Sequence, residues 1–533
     1  MCQSQKDNSK SWFSPSIEYS GTGKAYFENP KGYVEGNVRV SIDDSCHSHI
    51  EMEIERVESE EEITFGLVEF LSNERPYKKE NRLTFSGVDS LGENPCTKLE
   101  VNCSDGIFTT FEQVIYNPVI NLIGGGNIKF YIPTSQLSIQ VDKRSKFWVI
   151  PLINYVGKFQ EIDHNLVQHP LRLRETPYPL ITFEYHGKKG FIEPLLDIEK
   201  RREELLTGKS QRLITAIMVG EVCDEEIDAD NYQEKLPLEF LTLLNLATGS
   251  EVSMAWVELR SSDGELVTRL HGNFHKPCFS KGHQVIPEIS PDGSRDALKY
   301  LLTQSQSSPY FGRAPLGPVI ADLVESGFNI ISISDTLNRL CRGFDHLCKH
   351  FNFDRQNLMN ELDSSNQNIV KSHLLDTAQA IRKLANNSND TEQSQVLRRI
   401  ADKVVNSANV DRNFGLSVVD LMRQFELPDV TIIDDFYAVH PRQDGRESWS
   451  SVISYYRGMS VHVGYFESGS EPDQYDVQDL VRIILHLQDI LTRIVLKMLN
   501  YDGVYYPSIV MRQRAAMPVD WVQPSTSASE LGY

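Results

Sequence analysis

The spacing of apolar residues changes along this chain, and this change constrains the fold more than any other feature. In the first part, segments such as 36–42 and 128–132 alternate apolar and polar residues, as strands with one buried face do. From about residue 320, apolar residues recur every third or fourth position, as in amphipathic helices. The sequence therefore predicts a multidomain α+β chain with a β-rich N-terminal half and an all-α helical bundle after it.

A chain of 533 residues is longer than one hydrophobic core commonly supports, so several domains are expected. Shifts in periodicity and in turn-forming residues set the boundaries between them. We predict a β-rich domain over 1–155, an α+β domain over 156–290, a linker over 291–319, a helical bundle over 320–510 and a C-terminal tail over 511–533.

The middle segment mixes helical and strand signals. Residues 195–206 are highly charged with a helical period, whereas residues 213–219 are apolar almost throughout, as in a buried strand. Residues 252–259 and 266–270 flank the turn sequence Ser262-Asp263-Gly264, which predicts a hairpin. We therefore expect an α+β domain here.

The C-terminal part contains several stretches with one apolar helical face. The predicted helices cover 327–351, 369–384, 392–405, 415–425 and 477–498. Cys341 and Cys348 lie seven residues apart on the first of these helices, so they share a face and are expected to be core thiols.

The charge balance argues against a broad duplex-binding surface. The chain has 53 basic and 74 acidic residues, a formal net charge of −21. The acidic excess is spread along the chain; residues 1–155, for example, carry 15 basic and 22 acidic residues. A broad nucleic-acid surface needs a basic stripe, whereas a small local anion site remains compatible with this charge.

Targeting signals and disulfide patterns are not found in the sequence. No stretch reaches the roughly 18 uncharged apolar residues of a membrane-spanning helix. The first residues lack the apolar core of a secretory signal, and none of the eight cysteines form a Cys-x-x-Cys pair. We therefore expect a cytoplasmic protein without a membrane partner.

Two glycine-rich segments have some likeness to phosphate-binding loops. Gly21-Thr22-Gly23-Lys24 is similar to the end of a P-loop, but Ala25 replaces the Ser or Thr that binds magnesium, and Glu18 occupies the position of the first glycine. The segment 124–126 lacks a following Lys-Ser/Thr. We interpret both segments as turns and expect no cofactor.

A group of metal-ligating residue types occurs near the end of the predicted α+β domain. His271, His275, Cys278 and His283 offer imidazole and thiolate ligands, but their spacing matches none of the usual structural zinc patterns. We expect surface or hairpin histidines and no metal. A metallohydrolase using these residues is kept as an alternative that metal analysis would separate.

The pattern Arg-x(4–6)-His occurs three times, so the pattern alone is not specific. The three matches differ in context: the first lies in a predicted β hairpin, the second on the first helix of the bundle, and the third on the penultimate helix. They are Arg269/His275, Arg339/His346 and Arg457/His462.

The third match has a recognisable setting. Residues 455–466, Tyr-Tyr-Arg-Gly-Met-Ser-Val-His-Val-Gly-Tyr-Phe, resemble the signature helix of HEPN domains (higher eukaryotes and prokaryotes nucleotide-binding). The closest likeness is to the ApeA-like branch of bacterial anti-phage, or abortive-infection, proteins. It covers about residues 320–500. One departure is Gly458, since the residue after the motif arginine is usually polar, often Asn.

The chemistry of an Arg/His pair suits RNA cleavage without a metal. Histidine has an ordinary pKa near 6.5, so it can accept or donate a proton at neutral pH, and a guanidinium matches the oxygens of a phosphorane. At 100° per residue, Arg457 and His462 lie about 140° apart on one helix. Two copies facing across a two-fold axis would bring both pairs into one cleft, which fits the dimeric sites of HEPN nucleases.

Several neighbours are candidates for supporting roles. Tyr456 can stack on a base or pack in the core, and the core is favoured. Gly458 and Ser460 follow the arginine on the motif helix and are taken as supporting residues. Asp335 and Asp345, on the first helix of the bundle, can orient the motif, although an ordinary surface position is the more common situation for such residues.

Two functions follow from these observations. In the first, the chain is an endoribonuclease that acts as a homodimer through the helical bundle on single-stranded RNA. His462 would be its acid/base, Arg457 would stabilise the transition state, and the β-rich half would sense an unknown trigger, as the resemblance implies. In the second, it is a non-catalytic dimerising scaffold or ligand-binding protein with a degenerate HEPN bundle; Gly458 and the acidic surface favour this alternative.

Overall fold

The structure is a computed structural model that divides into two compact units, Met1–Gln306 and Ser307–Tyr533. Each unit has its own hydrophobic core, and each is described by itself. The structure describes residues 12–28, 31–59, 82–89, 95–102, 107–108, 119–123, 127–131, 145–159, 163–166, 168–222, 236–271, 277–287, 296–328, 332–353, 359, 362–388, 390–406, 414–427, 450, 452–454, 456–458, 477–508 and 516–519.

The first unit begins with an antiparallel sheet of eight strands. The strand order across it is β6-β7-β3-β2-β1-β4-β5-β8, so β1 and β2 are central. The predicted strand at 36–42 is confirmed as part of β2, and residues 128–131 of the strand predicted at 128–132 lie in β8; residue 132 is outside the described residues. The strands are β1 Ile17–Glu28, β2 Lys31–Ile42, β3 Ser48–Ser59, β4 Arg82–Asp89, β5 Pro95–Asn102, β6 Ile107–Phe108, β7 Val119–Ile123 and β8 Asn127–Tyr131.

The turn predicted at Gly21–Lys24 is wrong, because this segment lies in the middle of β1. It is paired on both sides: Gly21 lies opposite Val38 of β2 and opposite Gly87 of β4. Paired backbone on both edges holds the segment extended despite its two glycines. The segment 124–126 lies outside the described residues.

A second antiparallel sheet follows, with the order β10-β11-β12-β9-β14-β15 and with β13 also paired to β9. Its central strands β9 and β12 are buried on both faces, which explains the nearly continuous apolar run predicted at 213–219. The predicted hairpin is confirmed as β14 and β15. The strands are β9 Phe147–Ile153, β10 Ile181–Tyr185, β11 Lys188–Pro194, β12 Ile214–Glu221, β13 Ser253–Met254, β14 Val257–Arg260 and β15 Leu266–Leu270.

The two sheets share one hydrophobic core. Tyr19 and Val40 of the first sheet belong to the same buried cluster as Val149, Ile217 and Trp256 of the second. The second sheet also contacts helices, and the predicted charged helix at 195–206 is confirmed as the first of them. These helices are α1 Ile198–Leu206, α2 Glu239–Thr248 and α3 Ala297–Ser305; a short 3-10 helix spans His164–Leu166.

The structure places the divisions of the chain differently from the boundaries at 155, 290 and 319. Strand β9 precedes residue 155, but all its pairing partners, β12, β13 and β14, follow that residue, so this boundary would separate a strand from its sheet. The expected linker 291–319 contains α3, whose Leu301 and Leu302 are buried. The division between compact units falls instead after Gln306.

The second unit is a helical bundle with a helical hairpin. Helices α4, α5, α8 and α9 pack on one another, whereas α6 and α7 pack on each other. Among the helices of the described residues, none is long and apolar enough to span a bilayer. The elements are α4 Leu316–Ser326, α5 Ile333–His350, α6 Ser364–Asn387, α7 Thr391–Asn406, α8 Phe414–Gln424, α9 Val477–Met498, β16 Val504–Tyr505 and β17 Met517–Pro518.

The bundle core follows from the apolar stripes of its helices. Phe344 of α5, Leu421 of α8 and Leu491 of α9 are completely buried. Cys341 and Cys348 are also buried, which confirms that both are core thiols. The helix expected over 327–351 is shorter than predicted: α4 ends at Ser326, and α5 begins after Ser332, whose hydroxyl accepts a hydrogen bond from the Asp335 amide.

Candidate functional site

The motif arginine lies on a helical segment that is held tightly against α8. The described residues between 450 and 458 are helical. Ser454 accepts a hydrogen bond from the amide of Gly415 at 2.8 Å and donates its hydroxyl to the carbonyl of Ser450 at 2.9 Å. A Cβ atom on Gly415 would lie 1.8 Å from that carbonyl oxygen. Only glycine permits this approach, which positions the segment that carries Arg457.

The guanidinium of Arg457 contacts a carboxylate and an aromatic ring. Its Nη2 donates to Oδ2 of Asp345 on α5 at 2.9 Å, and its Cζ lies 5.0 Å from the ring centroid of Phe414 at the start of α8. The two partners of the ion pair are 32% and 37% exposed. The Nε atom of Arg457 is buried and has no hydrogen-bond partner within the part of the chain that is described. The guanidinium is therefore fixed by its two contacts, while part of the side chain stays accessible to solvent.

A buried thiol lies within electrostatic range of this ion pair. Burial raises the pKa of Cys341 to about 12, with Arg457 acting to lower it and Asp345 to raise it further. Because the thiol stays protonated at neutral pH, it is not a nucleophile in this state. We therefore assign Cys341 to the core below the arginine rather than to catalysis.

The other predicted site residues fall into two groups. Tyr456 is completely buried, which agrees with the core interpretation. Gly458 has open space where a Cβ atom would lie, so the position tolerates a larger residue. His462 and Ser460 lie outside the described residues, so the predicted Arg457/His462 pair stays a prediction.

Of the two candidate orienting carboxylates, one contacts the motif. Asp345 forms an ion pair with Arg457, whereas the sequence favoured an ordinary surface position for this aspartate. Asp335 instead belongs to the first turn of α5, where its amide donates to Ser332 at 3.1 Å. In the sequence, Asp345 was one of two candidate carboxylates and could not be singled out, because 112 residues separate it from Arg457.

The two other Arg/His matches have structural partners of their own. Arg339 forms an ion pair with Glu325 between α4 and α5, and His346 is exposed. Arg269 is buried and donates to Tyr19 and Glu258, both at 3.0 Å. Burial alone would raise the pKa of Glu258, but its arginine neighbours lower it to about 2. A fully paired, buried arginine is a structural group in this unit.

The possible metal ligands that the structure describes have different surroundings. His271 is buried, and its Nε2 lies 3.1 Å from the hydroxyl of Tyr19. Cys278 is exposed, and His275 lies outside the described residues. Over the described ranges, no group of three or more His, Cys, Asp or Glu side chains is placed to hold a metal ion.

Sequence reasoning missed a polar stripe on α9. His486, Asp489 and Arg493 are buried, and their spacing of three and four residues puts them on one helical face. Asp489 accepts from the hydroxyl of Tyr505 at 3.1 Å, and Arg493 Nε donates to the carbonyl of Val519 at 2.6 Å. The signal for this stripe was present: three ionisable residues recur at helical spacing inside a strongly apolar segment.

Comparisons of the whole chain with protein-family models, with curated proteins and with solved structures found no match in any of the three. The resemblance to HEPN domains therefore rests on residues 455–466 and on their place in a helical unit. Of those twelve residues, the structure describes Tyr456, Arg457 and Gly458.

Proposed function

We propose that this chain is a metal-independent endoribonuclease of HEPN type, in which Arg457 and His462 act on single-stranded RNA. The observation that carries the proposal is the state of Arg457: its guanidinium is held by Asp345 and Phe414, and the side chain remains one-third exposed. An oriented and partly accessible cation suits a phosphoryl group.

The reaction divides between the two residues. A histidine removes the proton of the ribose 2′-hydroxyl, whose oxygen forms a bond to the adjacent phosphorus. The bond from phosphorus to the 5′-oxygen breaks, and an acid protonates that leaving oxygen. The products are a 2′,3′-cyclic phosphate and a 5′-hydroxyl. Arg457 would stabilise the additional negative charge on the phosphorane.

The partners proposed for this activity follow from helical geometry and charge. On an ideal helix, positions five residues apart, such as 457 and 462, point about 140° apart, so a second copy would be needed to complete the cleft. With a net charge of −21, binding would be confined to a local site that a flexible single strand can enter. The β-rich first unit would respond to a trigger and control the helical unit.

The test is cleavage of a labelled single-stranded RNA by the purified chain in excess EDTA. We expect cyclic-phosphate products from the unmodified chain and a loss of about a hundredfold or more in Arg457→Ala and in His462→Ala. Arg339→Ala is the matched control, because it removes an arginine that also pairs with a carboxylate in the same unit. Cleavage that persists in both site variants would contradict the proposal.

A dimerising scaffold is the second candidate, and two observations favour it. Arg457 already has a carboxylate partner, and the neighbouring Tyr456 is entirely buried, as expected of a segment retained for packing. Gly458→Asn separates the two candidates, because the open space at this position accepts the polar residue usual in HEPN motifs. A nuclease would respond with a changed cleavage rate, whereas a scaffold would cleave neither before nor after the change.

A further inference from the structure

A small cavity in the first unit is lined by both cations and aromatic rings. It lies beside the start of α1, has a volume of about 140 Å³, and all of its lining residues belong to this unit. The space is enough for one six-membered ring, since apolar cavities of about 150 Å³ bind benzene. The lining residues are Lys158, Phe159, Tyr178, Ile198, Glu199 and Arg202.

The aromatic walls of the cavity are held in place by neighbouring side chains. The ring of Phe159 packs against Tyr155, with 5.4 Å between the ring centroids. The guanidinium of Arg174 stacks on Tyr178, with its Cζ atom 3.8 Å from the ring centroid. Arg174 is itself buried and donates to two backbone carbonyl oxygens, at 2.7 and 2.9 Å. The two rings therefore bound a space that is already formed before a ligand arrives.

Arg202 places a fixed positive charge in the wall of the cavity. Its side chain is only 10% exposed. Its Nη1 donates to Oε1 of Glu199 at 2.9 Å, and its Nη2 donates to the carbonyl oxygen of Gly157. These two bonds connect α1 to the segment before Phe159 and hold the guanidinium in position. Because the side chain of Glu199 is 80% exposed, water weakens its attraction to the arginine, and another anion can replace it.

Two further features favour an anion at the open side of the cavity. Lys158 is exposed, so two of the three charged lining residues are cations in a chain with a net charge of −21. The first turn of α1 also lines the cavity, and its N-cap Asp197 makes no side-chain capping hydrogen bond. The carboxylate of Asp197 instead accepts from Nε of Arg201 at 2.7 Å. The positive end of the helix dipole is thus not neutralised by a cap and attracts anions.

We propose that this cavity binds a small phosphate ester that carries a single ring. The ring would occupy the space beside Phe159 and Tyr178, and the phosphate would replace Glu199 as the partner of Arg202. A phosphate dianion then balances the two cations of the lining, and the guanidinium fork matches two of its oxygens. Compounds with several rings do not fit, since pockets for drug-sized ligands occupy about 300–1,000 Å³.

The proposal does not rest on the nuclease activity, because binding is measured without RNA. The probe is phenyl phosphate, titrated against the full chain and followed by ligand-observed nuclear magnetic resonance. For a ligand of about eleven heavy atoms we expect a dissociation constant of about 1 mM. Inorganic phosphate lacks the ring and phenol lacks the anion, so each of these two matched probes should bind about tenfold or more weakly.

Three variants at exposed positions locate the binding site and leave the buried arginine in place. Lys158→Gln removes a cation and should weaken binding about three- to fivefold. Glu199→Gln removes the carboxylate that competes for Arg202 and should strengthen binding about two- to threefold. Lys200→Gln is the matched control, because Lys200 is 75% exposed on the same helix but does not line the cavity.

The opposite effects expected at positions 158 and 199 distinguish this site from general attraction of anions to the surface. Absence of phenyl phosphate binding to the unmodified chain up to about 10 mM would overturn the proposal. Inorganic phosphate or phenol that binds as tightly as phenyl phosphate would also overturn it. So would an affinity that is unchanged in both Lys158→Gln and Glu199→Gln, or one that falls as much in Lys200→Gln as in Lys158→Gln.

Discussion

Gly415 and Gly458 occupy two contacting parts of the same site, but the space around them differs completely. A Cβ atom on Gly415 would collide with the backbone of Ser450, whereas one on Gly458 would meet nothing within 4 Å. The first glycine is required by packing. The second is a helical residue without a packing reason to be glycine, so its effect on the protein is through helix propensity and through the chemistry next to Arg457.

Alanine at these two positions should therefore have opposite effects on stability. We expect Gly458→Ala to raise the free energy of unfolding by about 0.5–1 kcal/mol, because alanine restricts the unfolded chain and favours a helix. We expect Gly415→Ala to lower it by about 2 kcal/mol or more, since α8 must move away from Ser450. Urea denaturation of both variants measures the difference; equal effects would show that the close approach is not maintained in solution.

The ion pair of Asp345 and Arg457 should contribute little to stability in spite of its position. Both side chains are about one-third exposed, so water screens their attraction. A double-mutant cycle with Asp345→Ala and Arg457→Ala should give a coupling energy of about 1 kcal/mol or less. A much larger coupling would identify the pair as a structural element rather than a group held ready for a ligand.

The sequence showed part of this site at the level of single residues. The resemblance of residues 455–466 to the HEPN signature helix singled out Arg457, and the seven-residue spacing from Cys348 indicated that Cys341 is a core thiol. The contact to Phe414 and the requirement for Gly415 were not predictable, because they depend on how closely two helices approach. Sequence periodicity reports which face of a helix is buried but not the distance to its neighbour.

Among the elements, α9 is unusual because ionisable groups lie inside its buried face. Burial and the nearby Arg493 lower the pKa of His486 to about 3, and burial raises the pKa of Asp489 to about 6. His486 is thus neutral in the folded chain down to low pH, while an unfolded chain binds a proton at this residue below about pH 6.5. The free energy of unfolding that His486 contributes is therefore lost as the pH falls. Asp489 has the opposite effect: below about pH 6 the folded chain binds a proton at this carboxyl more readily than the unfolded chain does, which raises the free energy of unfolding.

Replacing His486 by Gln should reduce the sensitivity of the second unit to acid. Between pH 7.5 and 5.5 we expect the free energy of unfolding to fall by about 1.4 kcal/mol more in the unmodified chain than in His486→Gln. The difference arises because the unfolded chain binds a proton at this histidine, with a pKa near 6.5, whereas the folded chain does not. Asp489 is present in both proteins, so the difference isolates the histidine. Denaturation curves at the two pH values test this, and parallel losses would show that His486 is protonated in the folded chain.

The prediction of elements succeeded where one face of a long helix is apolar and failed near prolines. The helices expected at 369–384, 392–405 and 415–425 agree with α6, α7 and α8 to within a few residues, apart from the start of α6. The region 291–319, predicted to be a linker, contains Pro309, Pro315 and Pro318, residues that often mark turns and loops. Yet α3 ends before the first of these prolines, and Pro318 lies in the first turn of α4, where it is tolerated.

For the whole molecule, the division after Gln306 predicts which fragments fold. We expect fragments 1–306 and 307–533 to melt cooperatively, because each contains a complete core. Fragment 156–306 should not, since it lacks β9, the neighbour of β12 and β14. Circular dichroism melting of the three fragments is the measurement. A cooperative transition in 156–306 would show that the second sheet does not require its central strand.

The class of the molecule was accessible from sequence, while its connectivity was not. A β-rich part followed by a helical part was predicted from periodicity alone and is what the structure has. The assignment of β9 to the second sheet was not, because a strand sequence carries no information on which distant strands it will pair with. Long-range pairing is decided by packing of the complete unit.

The position of β9 also has a consequence for recombination within the gene. A recombination event near codon 155 would join a gene segment that encodes a central strand to one that cannot supply its neighbours. An exchange near codon 306 leaves both cores complete. Gene fusions and domain losses that yield folded products should therefore gain or lose the first 306 residues as a single block, however different its two sheets become in sequence.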